Sequence, residues 1–274
     1  RLEALAAERV GKEAALLVVS GTMGNLCALL AHCARGDEVL VGDLSHIYNY
    51  EAGGASVLGG VAFHVVPTLP NGELPLDELA AAVRHADDSH EALTRLICLE
   101  NTHNRCGGVV LAPEYLRAVQ AFARERGLRV HLDGARLFNA AVAQGTDARS
   151  ITAHVDSVQF CLSKGLAAPV GSIVAGDAAF IARARRIRKL VGGSMRQAGI
   201  IAAAGIVALE EMVDRLAEDH ANARMLAEGL ASFPQIAIDL GSAQTDIVIF
   251  SLQPGACTAT ALVQALAARG VLVG

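Results

Sequence analysis

One lysine stands apart in an apolar stretch of the chain. Lys164 is the only charged residue between Asp156 and Asp177, and it follows a strand predicted over Val155–Ser163. A lysine desolvated at a strand end loses its proton more readily, and the neutral amine can attack a carbonyl carbon to form a Schiff base. The alternative is a lysine whose long side chain reaches from the strand end into water.

A carboxylate and an arginine form the second candidate, in the run His131-Leu-Asp-Gly-Ala-Arg136. Asp133 ends a predicted strand, so its side chain either points into the crevice at the sheet edge, with Arg136 beside it for an anion, or caps the next helix. Roughly thirty residues, about one βαβ unit, separate Asp133 from Lys164. The two strands can therefore be near neighbours, with both side chains over one pocket.

The third candidate is the glycine-containing turn Ser20-Gly-Thr-Met-Gly-Asn25, which lies between a predicted strand and a helix. Glycines let the backbone approach a phosphate, and the free N–H groups of a helix N-terminus bind anions. The turn is neither a Walker loop nor a G-x-G-x-x-G fingerprint, and an ordinary strand-to-helix turn is the alternative interpretation.

The elements that must position these residues alternate along the chain. This alternation predicts an α/β fold with a mostly parallel sheet, in which ligands bind at the carboxyl ends of the strands. The predicted strands are Ala14–Ser20, Glu38–Val41, Val61–Val66, Arg95–Leu99, Leu128–Asp133, Val155–Ser163, Ser172–Ala175, Ile236–Ile238 and Asp246–Leu252. The predicted helices are Leu26–Ala34, Leu76–His85, Pro113–Arg126, Asp177–Leu190, Arg196–Ala231 and Thr258–Arg269.

The helix predicted over Arg196–Ala231 is long enough to link two domains. We place a boundary inside it, near Arg215, between a large domain of residues 1–214 and a small, incomplete C-terminal domain of residues 215–274.

Composition excludes several classes of protein. The 274 residues carry a net charge of −5, which gives no electrostatic reason to bind nucleic acid or an anionic membrane. Ala14–Ala34 lacks Asp, Glu, Lys and Arg, but its central Gly and Asn residues break it into strand, turn and helix, against a membrane span. None of the six cysteines forms a Cys-x-x-Cys pair, which favours reduced thiols in a cytoplasmic protein without a metal site.

A phosphate-binding turn, a carboxylate and a Schiff-base lysine together meet the requirements of pyridoxal 5′-phosphate. The turn holds the phosphate, the carboxylate keeps the pyridine nitrogen protonated, and the lysine holds the aldehyde until an amino acid displaces it. The combination is a stronger indication than any one of its parts.

Seven motifs carry a resemblance to a known family. The chain resembles the low-specificity L-threonine aldolases, which belong to the β-eliminating lyase group of the aspartate aminotransferase-like fold (pyridoxal phosphate fold type I). The motifs are Ser20-Gly-Thr-Met-Gly-Asn25, Ala52-Gly-Gly-Ala55, Glu100-Asn-Thr-His-Asn104, Asp133-Gly-Ala-Arg136, Leu162-Ser-Lys-Gly165, Pro169-Val-Gly171 and Met195-Arg-Gln197.

The resemblance implies a role for each residue that would bind the cofactor. Lys164 would form the Schiff base, Asp133 would bind the ring nitrogen, and Gly21 and Thr22 would hold the phosphate. His46 would stack on the ring face, whereas a surface loop is the alternative without the resemblance.

Four further residues receive roles from the resemblance. Arg136 would meet the substrate carboxylate or the ring oxygen, and Arg196 would reach the phosphate, either within its own chain or across a subunit interface in a dimer of dimers. His90 falls where the family has a second active-site histidine, with a solvated surface histidine as the alternative. His103 lies in a motif and has either a structural or a catalytic role.

Compared with the family, the chain starts inside the helix before the glycine turn, without the serine that helps bind the substrate carboxylate. It also stops at Gly274, before the C-terminal arginine that binds the same group. We therefore expect the cofactor half of the site to be present and the substrate-binding half to be incomplete.

The implied reaction is the cleavage of L-threonine or L-allo-threonine to glycine and acetaldehyde. His90, His46 or an ordered water would take the β-hydroxyl proton. An aminotransferase or β-lyase of the same fold is one alternative, because both need the same lysine and aspartate. The other is an inactive copy that binds only the cofactor or a partner chain.

Overall fold

A seven-stranded sheet carries the residues of interest, and the computed structural model describes all residues from 1 to 274. The strands run in the spatial order β1-β7-β6-β5-β4-β2-β3. In chain order they are β1 (Ala14–Val18), β2 (Asp37–Gly42), β3 (Ala62–Val66), β4 (Leu93–Glu100), β5 (Arg129–Asp133), β6 (Ser157–Cys161) and β7 (Ser172–Gly176).

Strand β7 alone runs against the direction of the sheet. It pairs antiparallel with both β1 and β6, whereas β2, β3, β4, β5 and β6 pair in parallel. The carboxyl ends of β4, β5 and β6 therefore meet at one edge, which is where an open α/β sheet binds ligands. The predicted α/β class with a mostly parallel sheet is confirmed.

Twelve helices accompany the strands, and most of them cover the two faces of the sheet. Their bounds are α1 (Leu2–Arg9), α2 (Gly21–His32), α3 (His46–Asn49), α4 (Gly54–Gly59), α5 (Leu76–Ala82), α6 (Pro113–Glu125), α7 (Leu137–Ala143), α8 (Ala148–Thr152), α9 (Ala178–Leu190), α10 (Gly199–Glu211), α11 (Leu216–Ala231) and α12 (Ala259–Ala267). None of them combines the length and the apolar character that a bilayer crossing needs.

Alternate residues of the strands belong to two different apolar layers. In β1, Leu16 and Val18 pack with α2 and α9, whereas Ala15 and Leu17 pack into the larger cluster that also includes residues of α1, α6 and α10. Because successive side chains of a strand point to opposite faces, this division places helices on both sides of the sheet. Helix α2 thus lies directly against the face that carries the site.

Two sequence predictions for the C-terminal part are wrong in detail. The predicted helix Arg196–Ala231 is two helices, α10 and α11, separated at residues 212–215, where Val213 and Asp214 are weaker helix formers than the alanines before them. The predicted strand Asp246–Leu252 is reduced to β9 (Ser251–Leu252), because its partner β8 (Ile236–Ala237) is equally short.

Candidate active site

The last residues of β4 and β5 place two carboxylates side by side at the carboxyl edge of the sheet. Glu100 and Asp133 are register partners in this parallel pair, and both are buried, Asp133 with 2% of its surface exposed. Residues at one register position of neighbouring strands point to the same face. The strand ends therefore bring a pair of acids to one point beneath α2.

Asp133 is held by two N–H donors. Its Oδ2 accepts from the Asn25 side-chain amide at 2.8 Å, and its Oδ1 accepts from the Ala135 backbone N–H at 3.1 Å. Asn25 is the fifth residue of α2, so the helix that supplies the glycine turn also orients this carboxylate. Donors of this kind stabilise a carboxylate as the anion.

The same asparagine joins Asp133 to a glutamate–histidine pair. The Asn25 amide donates to Glu51 Oε1 at 2.8 Å, and Glu51 Oε1 lies 3.0 Å from His46 Nδ1. The hydrogen bond with Glu51 is the main cause that raises the pKa of His46, whereas burial opposes the rise. Burial in turn raises the pKa of Glu51. His46 is thus oriented through Nδ1 and keeps Nε2 available.

Glu100 joins the segments that follow β2 and β4. Its Oε2 accepts from the His46 backbone N–H at 2.7 Å and its Oε1 from the Asn104 backbone N–H at 2.8 Å. Burial, together with the neighbouring charge of Asp133, raises the pKa of Glu100 to about 7. One carboxylate therefore positions both the loop of His46 and the segment after β4.

The N-terminus of α2 has the features of an anion-binding turn. Ser20 is the N-cap, and its side chain accepts from the Met23 N–H, while the N–H groups of Gly21 and Thr22 precede the first intrahelical bond. Gly24 permits the close approach of α2 to β6, since a Cβ there would lie 2.6 Å from Cγ of Gln159. The free N–H groups thus face outward at the carboxyl edge of the sheet.

Lys164 follows β6 by three residues and is exposed. The expectation that its surroundings desolvate the amine is wrong for this structure, because the turn after β6 leaves the side chain in contact with solvent. Its place at the same sheet edge as Asp133 agrees with the prediction. An accessible amine can still react with a carbonyl ligand that arrives from solution.

Arg136 is directed by two groups from different parts of the chain. One terminal nitrogen donates to the Asn104 side chain at 3.0 Å, and Nε lies 3.5 Å from Oδ2 of Asp246, in the C-terminal part. Its remaining N–H groups are available to an anion.

Arg196 is exposed in the segment between α9 and α10. The same segment reaches the glycine turn, since a Cβ on Gly193 would lie 2.3 Å from Sδ of Met23.

Two other candidate histidines, His90 and His103, do not share the surroundings of His46. His90 precedes β4, at the opposite edge of the sheet, with 92% of its side chain exposed and its Nδ1 2.8 Å from Asp88. The structure does not bring it to the Asp133 cluster of this chain. His103 is buried with neither ring nitrogen hydrogen-bonded, and burial lowers its pKa to about 4, so its ring is neutral at pH 7.

Comparison with known proteins shows the family to which the chain belongs. The β-eliminating lyase profile matches residues 1–253. The chain belongs to the β-eliminating lyase family. It is 47% identical over 272 residues to the low specificity L-threonine aldolase of Escherichia coli K12, covering 99% of this chain and 79% of that protein. It is 45% identical over 276 residues to low-specificity L-threonine aldolase 1 of Arabidopsis thaliana, covering 100% and 77%.

A solved structure supports the fold of this lyase. The threonine aldolase of Leishmania major superposes with a TM-score of 0.74 at 22% identity, covering 87% of this chain and 70% of that one. This likeness concerns the fold alone. The family and the fold together imply a pyridoxal phosphate enzyme and a small-molecule amino acid substrate.

The residues present in this lyase suit pyridoxal phosphate. The helix N-terminus offers N–H groups to a phosphate dianion, and Asp133 offers an oriented, buried carboxylate to a pyridinium nitrogen. His46, Glu51 and Asp133 also have ligand atoms within 4.8 Å of one another, as a metal site would. However, the NH₂ group of Asn25 donates to both Glu51 Oε1 and Asp133 Oδ2. The position between these two oxygens is therefore already filled by an N–H donor and not left open for a cation.

Three residues of this site were not predicted from the sequence, namely Asn25, Glu51 and Glu100. Asn25 and Glu100 lie inside motifs on which the family resemblance rested, and Glu51 directly precedes another. Their position in the motifs was the only available signal, because their partners are distant in sequence.

Proposed function

We propose that this lyase cleaves the Cα–Cβ bond of L-threonine and L-allo-threonine, giving glycine and acetaldehyde, with pyridoxal 5′-phosphate as its cofactor. The observation that supports it most is the buried Asp133 carboxylate, oriented by Asn25 at the sheet edge that also carries Lys164 and the α2 N-terminus. The names of the similar aldolases support the choice of substrate.

Each binding residue has a separate task in this proposal. Gly21 and Thr22 would hold the phosphate through their backbone N–H groups, and Asp133 would accept the ring N–H. Lys164 would hold the aldehyde through its amine, and the His46 ring would cover one face. When bound, pyridoxal phosphate supplies an electron sink that accepts the electrons of the broken bond.

The proton of the substrate's β-hydroxyl group needs an acceptor. With Nδ1–H donated to Glu51, the neutral His46 ring has Nε2 free to take that proton, and Glu51 stabilises the imidazolium that results. The C–O bond becomes a carbonyl as Cα–Cβ breaks, and the imidazolium of His46 returns its proton to Cα before glycine leaves. The remote position of His90 in this chain favours His46 over His90 for the task.

Arg136 and Arg196 bind the anionic groups in this proposal. Arg136 binds the substrate carboxylate through the N–H groups that Asn104 and Asp246 leave available. Arg196 binds the phosphate, because its segment lies against the glycine turn.

The proposal extends to organisation and location. Residues 1–214 form the cofactor-binding domain and residues 215–274 a smaller C-terminal domain, and the enzyme is a dimer of dimers in the cytoplasm. All six cysteines are free thiols in the structure, which supports a reducing compartment.

The test compares the purified protein with Lys164→Ala and with Lys189→Ala, a control on the exposed surface of α9. Incubation with L-threonine and pyridoxal phosphate, without a keto acid, should release acetaldehyde and glycine in equal amounts from wild type and from Lys189→Ala only. The visible cofactor band should shift on addition of glycine. A requirement for a keto acid would indicate an aminotransferase, and a band without products would indicate an inactive copy.

A further inference from the structure

A chain of buried polar side chains continues behind Asp133, on the side away from the proposed ligand. His131 and Asp133 are two residues apart in β5, so their side chains point to the same face of the sheet. Asn25 of α2 contacts both of them there. His131 Nε2 lies 3.1 Å from Asn25 Oδ1, and His131 Nδ1 lies 2.8 Å from Ser157 Oγ on β6. Ser157 Oγ lies 2.7 Å from His32 Nε2, near the end of α2.

The carboxylates of Glu51 and Asp133 determine which group donates in each hydrogen bond of this chain. Asn25 presents one side-chain atom to two acceptors, Glu51 Oε1 and Asp133 Oδ2, so that atom is the NH₂ group. Its oxygen then faces His131 Nε2, which must carry a hydrogen.

The remaining two links are fixed in the same way. Burial lowers the pKa of His131 to about 3 and that of His32 to about 4, so each neutral ring has a single N–H. His131 Nδ1 is therefore an acceptor and takes the Ser157 hydroxyl hydrogen. His32 Nε2 must donate to the Ser157 oxygen, so all the hydrogens point toward Asp133.

We propose that His131, supported by Ser157 and His32, is a positioning residue that locks the Asn25 amide with its NH₂ group toward Asp133, so that Asp133 stays an oriented anion for the cofactor's ring nitrogen. The inference rests on the proposed function, because it assumes that Asp133 is the ring-nitrogen partner. If Asp133 and Glu51 instead both carried a proton toward Asn25, the amide could turn over, and the whole chain would reverse with His131 protonated on Nδ1.

The first test measures the His131 tautomer in the wild-type protein and uses a substitution only to assign signals. Nitrogen NMR of the cofactor-loaded enzyme labelled with ¹⁵N-histidine, with the His131 signals assigned by their loss in His131→Gln, should show Nε2 carrying hydrogen and Nδ1 bare. An Nδ1–H tautomer or an imidazolium at position 131 would overturn the proposal.

The second test compares cofactor affinity among matched variants. His131→Gln keeps an N–H in the place of Nε2, whereas His131→Met fills a similar volume without a donor. Cofactor affinity should fall about tenfold or more in His131→Met, which is the size of effect found when a hydrogen-bond partner of a metal-binding residue is removed. In His131→Gln the affinity should stay within about threefold of wild type. His154→Gln, far from the site beside Gln120, is the control for loss of a histidine.

The outcomes separate the two proposals. Equal affinity of His131→Met and wild type would refute the positioning role, and so would an equal loss in the Gln and Met variants. If Asp133→Asn bound the cofactor as tightly as wild type, the assignment of Asp133 itself would be wrong. The NMR result stands even if His131→Met does not fold.

Discussion

Replacing Glu100 by glutamine should make the protein more stable relative to wild type as pH rises. Burial and the Asp133 charge raise the pKa of Glu100 from 4.5 to about 7. An acid whose folded pKa is raised binds more protons in the native state, so its effect on stability becomes less favourable between those two pH values. Each pH unit between them is worth about 1.4 kcal/mol, which gives about 3 kcal/mol in total.

Glutamine removes this titration but also changes the contacts. One of the two backbone donors, at His46 or Asn104, then faces an NH₂ group, just as it faces the O–H of wild-type Glu100 when that acid is protonated at low pH. The variant should therefore be about as stable as wild type near pH 5 and more stable than wild type at pH 8.

Urea unfolding of the cofactor-free protein at pH 5, 6.5 and 8, followed by circular dichroism, measures this difference. Glu38→Gln is a matched control, because Glu38 is also buried but lies 3.3 Å from the Arg84 guanidinium and not beside a second carboxylate. Its deficit should not shrink with rising pH. A Glu100→Gln variant whose stability relative to wild type stays constant, or falls, as pH rises would refute the reasoning.

Three further substitutions are informative, two at the site and one at a distance from it. Glu51→Gln keeps an acceptor for Asn25 but removes the charge that raises the pKa of His46, so the acid limb of the kcat/KM profile should move to lower pH. Gly24→Ala places a Cβ 2.6 Å from Gln159 and should destabilise the fold by about 1–3 kcal/mol in thermal melts, with weaker cofactor binding. Gly229→Ala meets nothing within 4 Å inside α11 and should stabilise by up to about 1 kcal/mol.

The sequence was sufficient to predict where Asp133 and the glycine turn lie. Asp133 closes an apolar run, and parallel strands have their carboxyl ends at one edge, so fold class and placement follow from periodicity and one topological rule. The same rule placed Lys164 correctly but said nothing about its exposure, which depends on the course of the turn after β6.

The partners of these residues could not be predicted in the same way. Asn25 and Asp133 are 108 positions apart, and Glu100 acts on the backbone of His46, 54 positions away. No local pattern encodes such contacts, since they arise only when α2 packs on the sheet. His90 shows the reverse difference, because the resemblance gave it an active-site position with a solvated surface histidine as the alternative, whereas the topology of this chain places the residue at the other edge of the sheet.

The three buried acids of this site, Glu51, Glu100 and Asp133, accept the same number of hydrogen bonds but differ in the positive groups that lie beside them. Each accepts two N–H groups, so the number of donors does not decide which of them holds a proton. Glu51 has the imidazole of His46 beside it, and Asp133 lies where the proposed ring nitrogen would bring a positive charge. Glu100 has only neutral backbone donors, and burial beside Asp133 raises its pKa to about 7. Glu100 therefore suits a structural role. It joins the segments of His46 and Asn104 and does not compete with Asp133 for a positively charged ligand.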